Sequence, residues 1–224
     1  MSLLRHLMPA LLCGLLMLSS AQGAVTTIDF DSFPGMIDIP GSSVPLASQL
    51  SDQLLSTSGV SFQSAAGFVA VVDHSPYGPT VSMPNVIGGV TAAGLLSYDT
   101  FVEISFFEPS NPAVKAVTDF VSIRGDQVPL PGATATMEAF DVSGNSLGVA
   151  VAFDSAAGLA LSLAHPGIHS ILLTQDSASS LYDGTIGFDN LQFNPIQPVP
   201  APGAILLGIA GVGLVGWLRR GRAV

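Results

Sequence analysis

Apolar and polar residues alternate with a period of two across most of the second half of the chain, and this constrains the fold more than any other feature. Val102, Ile104 and Phe106 alternate with Glu103 and Ser105. Ala135, Met137 and Ala139 alternate with Thr134, Thr136 and Glu138. Leu147, Val149, Val151 and Phe153 share one phase, as do Leu159, Leu161 and Leu163, and then Ile186 and Phe188. Side chains on a β-strand point to opposite faces in turn, so each run reads as a strand with one buried face. Ser143-Gly144-Asn145, Ser155-Ala156-Ala157-Gly158 and His165-Pro166-Gly167 separate these runs with turn chemistry. The segment from Phe101 to Phe193 is therefore expected to be a series of antiparallel strands. One helical candidate precedes it: Leu46 to Leu55, with Leu46, Leu50 and Leu54 four apart, followed by a strand at Gly59-Val60-Ser61-Phe62. No internal repeat is present. An all-β, two-sheet antiparallel sandwich of jelly-roll topology is the expected architecture of residues 24–196.

Both ends depart from this pattern. Residues 1–23 read as a signal peptide, with Arg5 and His6 ahead of an apolar run from Leu7 to Leu18 and small residues in Ala21-Gln22-Gly23. Cys13, the single cysteine, lies inside that apolar run. Export would therefore leave a body with no disulfide, held by packing alone. At the other end, residues 197–202 form a proline-rich linker. Residues 203–218 carry no charge and read as one transmembrane helix, and residues 219–224 form a basic cytoplasmic tail. Sixteen residues span roughly 24 Å as a helix, against a hydrocarbon core of roughly 30 Å. Trp217 and the arginines at 219, 220 and 222 ease that mismatch by reaching the interface. Their charge is expected to keep this end inside and the body outside.

Of the basic residues only Lys115 and Arg124 lie in the body, against all 16 acidic residues of the chain. Phosphate binding needs a basic footprint, so nucleic acid is excluded as a partner. An anionic polysaccharide would need a bridging cation.

The tail resembles the PEP-CTERM sorting signal of Gram-negative bacteria. That signal consists of a Val-Pro-Glu-Pro motif, a Gly/Leu-rich span and a terminal arginine cluster. Val199, Pro200 and Pro202 match the motif, with Ala201 where the family usually carries Glu, and Arg219, Arg220 and Arg222 match the cluster. The resemblance covers the last 26 residues. It implies an inner-membrane-anchored precursor, an exosortase-like processing protease as partner, and delivery to the cell surface or extracellular matrix. Thr27-Ile28-Asp29-Phe30, Gly59-Val60-Ser61-Phe62, Ala139-Phe140-Asp141 and Phe188-Asp189-Asn190-Leu191 loosely resemble segments in the bodies of proteins with this tail. That likeness implies a jelly roll similar to carbohydrate-binding modules, in which a structural cation often ties the first strand to the last.

Asp29 and Asp31, two apart on the first strand, and Asp189 in the last are the candidate Ca2+ ligands. Phe188 and Leu191 are out of phase, so a bulge is expected at Asp189-Asn190. Tyr77, Tyr98 and Tyr182 lie among loop residues and are the candidate platforms for extracellular polysaccharide. Glu103 and Glu138, each mid-strand, are the candidate pair for a carboxylate-based polysaccharide-processing enzyme. His165 and His169 flank Pro166-Gly167 and on extended chain lie roughly 13 Å apart, too far to share a metal. There is no Gly-x-Ser-x-Gly elbow and no phosphate-binding glycine loop. The sequence thus points first to an exported surface or matrix protein without catalytic activity, with a carbohydrate-binding module as the alternative and the enzyme as the second alternative.

Overall fold

The computed structural model describes residues 23–74, 84–127, 133–153, 158–176 and 186–199. The chain is mostly β, with fourteen strands among the described residues joined in one hydrogen-bonded network. The network has two arms. In the first, β5 (Val69–Asp73) carries the two-residue strands β2 (Met36–Ile37) and β3 (Gln49–Leu50) and pairs with β6 (Asn85–Gly88). The arm continues through β13 (Ile186–Phe193) and β8 (Asn111–Gln127) to β11 (Leu159–Ile168), and β1 (Thr26–Ile28) also pairs with β13. The second arm runs from β4 (Val60–Gln63) through β7 (Val102–Glu108), β12 (Ser170–Asp176) and β9 (Thr134–Phe140) to β10 (Ser146–Phe153). The long strand β8 joins them. Its first residues fold back on β7, with Phe107 opposite Lys115, and its remainder pairs with β11 and β13.

The main core draws on both arms. Val102, Ile104 and Phe106 of β7 and Met137 of β9 bury in one cluster with Val121 and Ile123 of β8 and Phe188, Leu191 and Phe193 of β13. Phe106 meets Phe193 with ring centroids 5.2 Å apart, and Phe30 meets Phe62 edge-on at 5.6 Å. Gln175 of β12 also ties the arms: its Oε1 accepts from the Ile186 N–H at 2.9 Å and its Nε2 donates to the Ile186 carbonyl at 3.2 Å. A second cluster lies on the outer face of β5 and β6, where Ala70, Val72 and Val86 pack with Met36, Val44, Leu96 and Tyr98. Consequently Val69 to Val72 are buried on both faces of their strand.

Three local expectations differ from the structure. The ten-residue helix at Leu46 to Leu55 does not form. Leu46–Ser48 make a single 3-10 turn, Gln49 and Leu50 join β5, and one helical turn follows at Leu55–Ser58. Leu50 is wholly buried against the core while Leu46 is exposed, so burial through strand pairing overrides the four-residue spacing. Gly59 ends the helical turn in the left-handed region at φ 69°. His165-Pro166-Gly167 does not separate two strands. It forms a bulge within β11, where pairing jumps from Ala164–Phe120 to Ile168–Thr118. The third difference concerns β10. Ala150 and Ala152 face the buried Met137 and Ala135, and Val149, Val151 and Phe153 turn outward. A register shift between Ser146 and Gly148 sets that phase, and directly opposed residues share a face.

Candidate functional site

The first and last described segments of the body lie close together. Gly23 packs so close to Pro195 that a Cβ there would collide with the proline ring. Strand β14 (Gln197–Pro198) pairs with Ala116 and Val117 of β8, and the Val199 N–H donates to the Lys115 carbonyl at 2.9 Å. The first residue of the proposed sorting motif is thereby hydrogen-bonded to the body. Pro200, Ala201 and Pro202, the uncharged run at 203–218 and Arg219, Arg220 and Arg222 lie outside the described residues, as does the apolar run from Leu7 to Leu18. Among the described residues no helix is long and apolar enough to cross a membrane.

Between these segments lies a cleft of about 390 Å³. Val25, Pro166 and Pro195 give it apolar walls, and Asp119, Asn194 and Gln197 give it polar groups. The Asn194 amide donates to Asp119 Oδ1 at 2.8 Å, and the Thr118 hydroxyl donates to the Asn194 carbonyl at 3.0 Å. A carboxylate oriented by an amide, beside exposed aliphatic surface, suits a ligand that offers hydroxyl donors and a C–H face. Strand pairing builds the site. The bulge in β11 brings Pro166 and Gly167 to it, and the end of β13 brings Asn194. Sequence patterning missed these residues because Asp119 and Asn194 are 75 positions apart, and neither belongs to a motif.

At the junction of β1, β6 and β13 the expected bulge is present. Pairing of β13 with β8 shifts between Asp189 and Gln192, and Asn190 takes the left-handed conformation at φ 51°. Here β13 exchanges one neighbour for another, with Phe188 opposite Ile87 of β6 and Leu191 opposite Ile28 of β1. Asp189 is fully buried, and its carboxylate accepts from the Asn190 backbone at 2.6 Å and from the Asn190 amide at 3.0 Å.

Asp29 and Asp31 do not share a regular strand face, because β1 ends at Ile28 and Phe30 has φ 58°. Asp31 Oδ1 accepts from the Asn85 N–H at 3.1 Å. The Asn85 amide donates to the carbonyls of Phe33 at 2.7 Å and Phe30 at 3.3 Å. A neutral side-chain donor thus organises these oxygens. Among the described residues no three His, Cys, Asp or Glu side chains gather as a metal-holding group.

The other candidate residues are dispersed. Tyr98 is 1% exposed, packed over Gly88 in the second core, so its ring offers no platform to a sugar. Tyr77 and Tyr182 lie outside the described residues. Glu103 and Glu138 both pair with Leu172 from opposite sides. They therefore occupy one cross-strand row, their backbones roughly 10 Å apart. His169 sits where the chain passes from β11 in one arm to β12 in the other. Its Nδ1 lies 2.9 Å from the Ala116 carbonyl and its ring stands edge-on to Phe107, so its role is structural. His74 Nδ1 lies 3.4 Å from the Asp38 carboxylate with both side chains buried, a contact between residues 36 positions apart that no local motif announces.

No family model matches this chain, and no curated protein or solved structure is detectably similar to it.

Proposed function

We infer that this chain is an exported surface or extracellular-matrix protein without catalytic activity, delivered by a C-terminal signal of PEP-CTERM type. In this reading the body is a two-sheet sandwich of jelly-roll topology. Residues 203–218 hold the precursor in the inner membrane, with Arg219, Arg220 and Arg222 inside. An exosortase-like protease cuts near Val199 to Pro202. What supports the reading is the match of Val199, Pro200 and Pro202 and of Arg219, Arg220 and Arg222 to that signal. The intact mass of protein recovered from the cell surface tests this, with both end segments expected to be missing. Replacement of Arg219, Arg220 and Arg222 by Ser should impair delivery. Normal surface delivery of that variant, or a native product found in the cytosol with both ends uncut, overturns the reading.

A second reading is favoured by the cleft at Asp119. Its carboxylate–amide pair and aliphatic walls suit a neutral sugar unit of an extracellular polysaccharide, whereas the acidic body repels anionic ones. A glycan array tests it: capture of neutral glycans by the native protein and their loss in Asp119→Ala support it, and no capture removes it. Calcium enters the proposal only as a ligand of the Asp29–Asp31 loop. Titration calorimetry with Ca2+ on chelator-treated protein decides this, and neither heat nor a rise in Tm is the outcome that removes the ion.

A further inference from the structure

Strand β10 is the last strand of its arm: among the described residues it pairs with β9 alone, and β11 of the other arm packs against it without joining its ladder. Its outward residues are large and apolar: Val149 is 54% exposed, Val151 57% and Phe153 75%. Natural edge strands are blunted by shortness, charge, proline or bulges, because an open row of N–H and C=O groups templates a further strand. The other edges are short or interrupted: β1 has three residues and β4 four. Strands β2 and β3 have two residues each, and β11 contains Pro166 within a bulge. Beyond its opening irregularity β10 has no such device. It contains no proline, and from Val142 to Phe153 the sequence carries no charge.

The neighbours of the stripe determine how it can be covered. Val149, Val151 and Phe153 lie opposite Glu138, Thr136 and Thr134 of β9, so the surface turns polar one strand inward. An occupant lying flat across the sheet would desolvate that polar row. One that adds a strand at the free edge covers the apolar stripe and pairs the open backbone groups together.

We propose that the occupant is β10 of a second copy, paired antiparallel across a two-fold axis. Charge argues for this partner. Each chain carries a formal net charge of −10, so most contacts between copies oppose acids to acids. An uncharged edge meeting its own copy avoids that cost, and an isologous contact sets Val and Phe beside Val and Phe. The contact is small. Three side chains and one strand bury less than the roughly 1,200 Å² of a standard stable interface, so the dimer forms reversibly and depends on concentration. For a protein placed densely on a surface, a weak symmetric contact links neighbours without locking the soluble form.

Disulfide trapping of the full chain in detergent, in a Cys13→Ser background, tests the proposal. Val151→Cys should give a covalent dimer under mild oxidation, and Thr57→Cys, exposed on the helical turn outside both arms, should not. Sedimentation over a dilution series should show a dimer that Val151→Lys weakens by at least about tenfold, the effect of roughly 1.4 kcal/mol. Circular dichroism establishes that each variant is folded, and Phe153→Glu serves as a second disrupting change. A monomer at every concentration overturns the proposal. So does association that survives both Val151→Lys and Phe153→Glu, or cross-linking that is equally efficient at Thr57→Cys.

Discussion

The carboxylate of Asp31 accepts the backbone N–H of Asn85 at 3.1 Å, joining residues 54 positions apart at the place where β13 exchanges β6 for β1. One side chain thereby closes the first loop onto the first residue of β6. The Asn85 amide completes the closure from the other direction by donating to Phe33 and Phe30.

Asn85→Ala is therefore expected to lower stability by about 2 kcal/mol, because it removes the amide donor from two carbonyls in a closely packed loop. Urea unfolding measures this. Asp31→Asn should cost less, since the amide oxygen still accepts the Asn85 N–H. Equal losses in the two variants would show that the loop is not organised by the Asn85 side chain.

Phe193 and Phe153 are both phenylalanines late in a strand, with opposite expected sensitivities. Phe193 is 1% exposed and its ring meets Phe106 of the other arm. Phe193→Ala should cost about 3–5 kcal/mol through the cavity it opens. Phe153→Ala, at a site 75% exposed, should stay within about 0.5 kcal/mol in the monomer. Thermal unfolding at low concentration separates the two, and a comparable loss in both would contradict the outward phase of β10.

A methyl group at Gly187 would collide with Val86 across the β6–β13 pair. Gly187→Ala should cost about 1–3 kcal/mol by overpacking. The same change at Gly67 meets open space but has φ 84°, so any loss there comes from the backbone. Pairing each with Val86→Ala distinguishes the causes, since only the Gly187 variant should be relieved.

The β9–β10 turn gives a pH prediction. The Asn145 side-chain amide, followed by the Asn145, Ser143 and Gly144 backbone donors, holds the Asp141 carboxyl below its ordinary 3.8. A depressed carboxylate stabilises the fold above its unfolded pKa, and that contribution is lost as pH falls through the folded value. The turn should therefore loosen only below pH 3.8. Asn145→Ala should move the Asp141 titration, followed by NMR, upward toward the ordinary value. An unchanged titration would remove Asn145 as the principal cause.

Alternation at Val102 to Phe106 and at Ala135 to Ala139 identified strands and their buried faces, because period two follows from the geometry of a single strand. The mismatch of Phe188 and Leu191 identified the bulge at Asp189 and Asn190 for the same reason. The failures lie where the outcome depends on a neighbour. Leu46, Leu50 and Leu54 have helical spacing, yet β5 claims Leu50. The apolar phase of β10 runs outward because β9 sets its register one residue past the regular pairing. Tyr98 looked like a loop residue and is buried because Gly88 leaves room for its ring. The cleft at Asp119 and Asn194 has no trace in local sequence. Sequence alone determined the β character, the acidic balance of the body and the distinct character of the ends, all properties of short segments. Tertiary structure alone decided which faces are covered and which distant side chains meet, because burial and register are set by pairing between strands far apart in the chain.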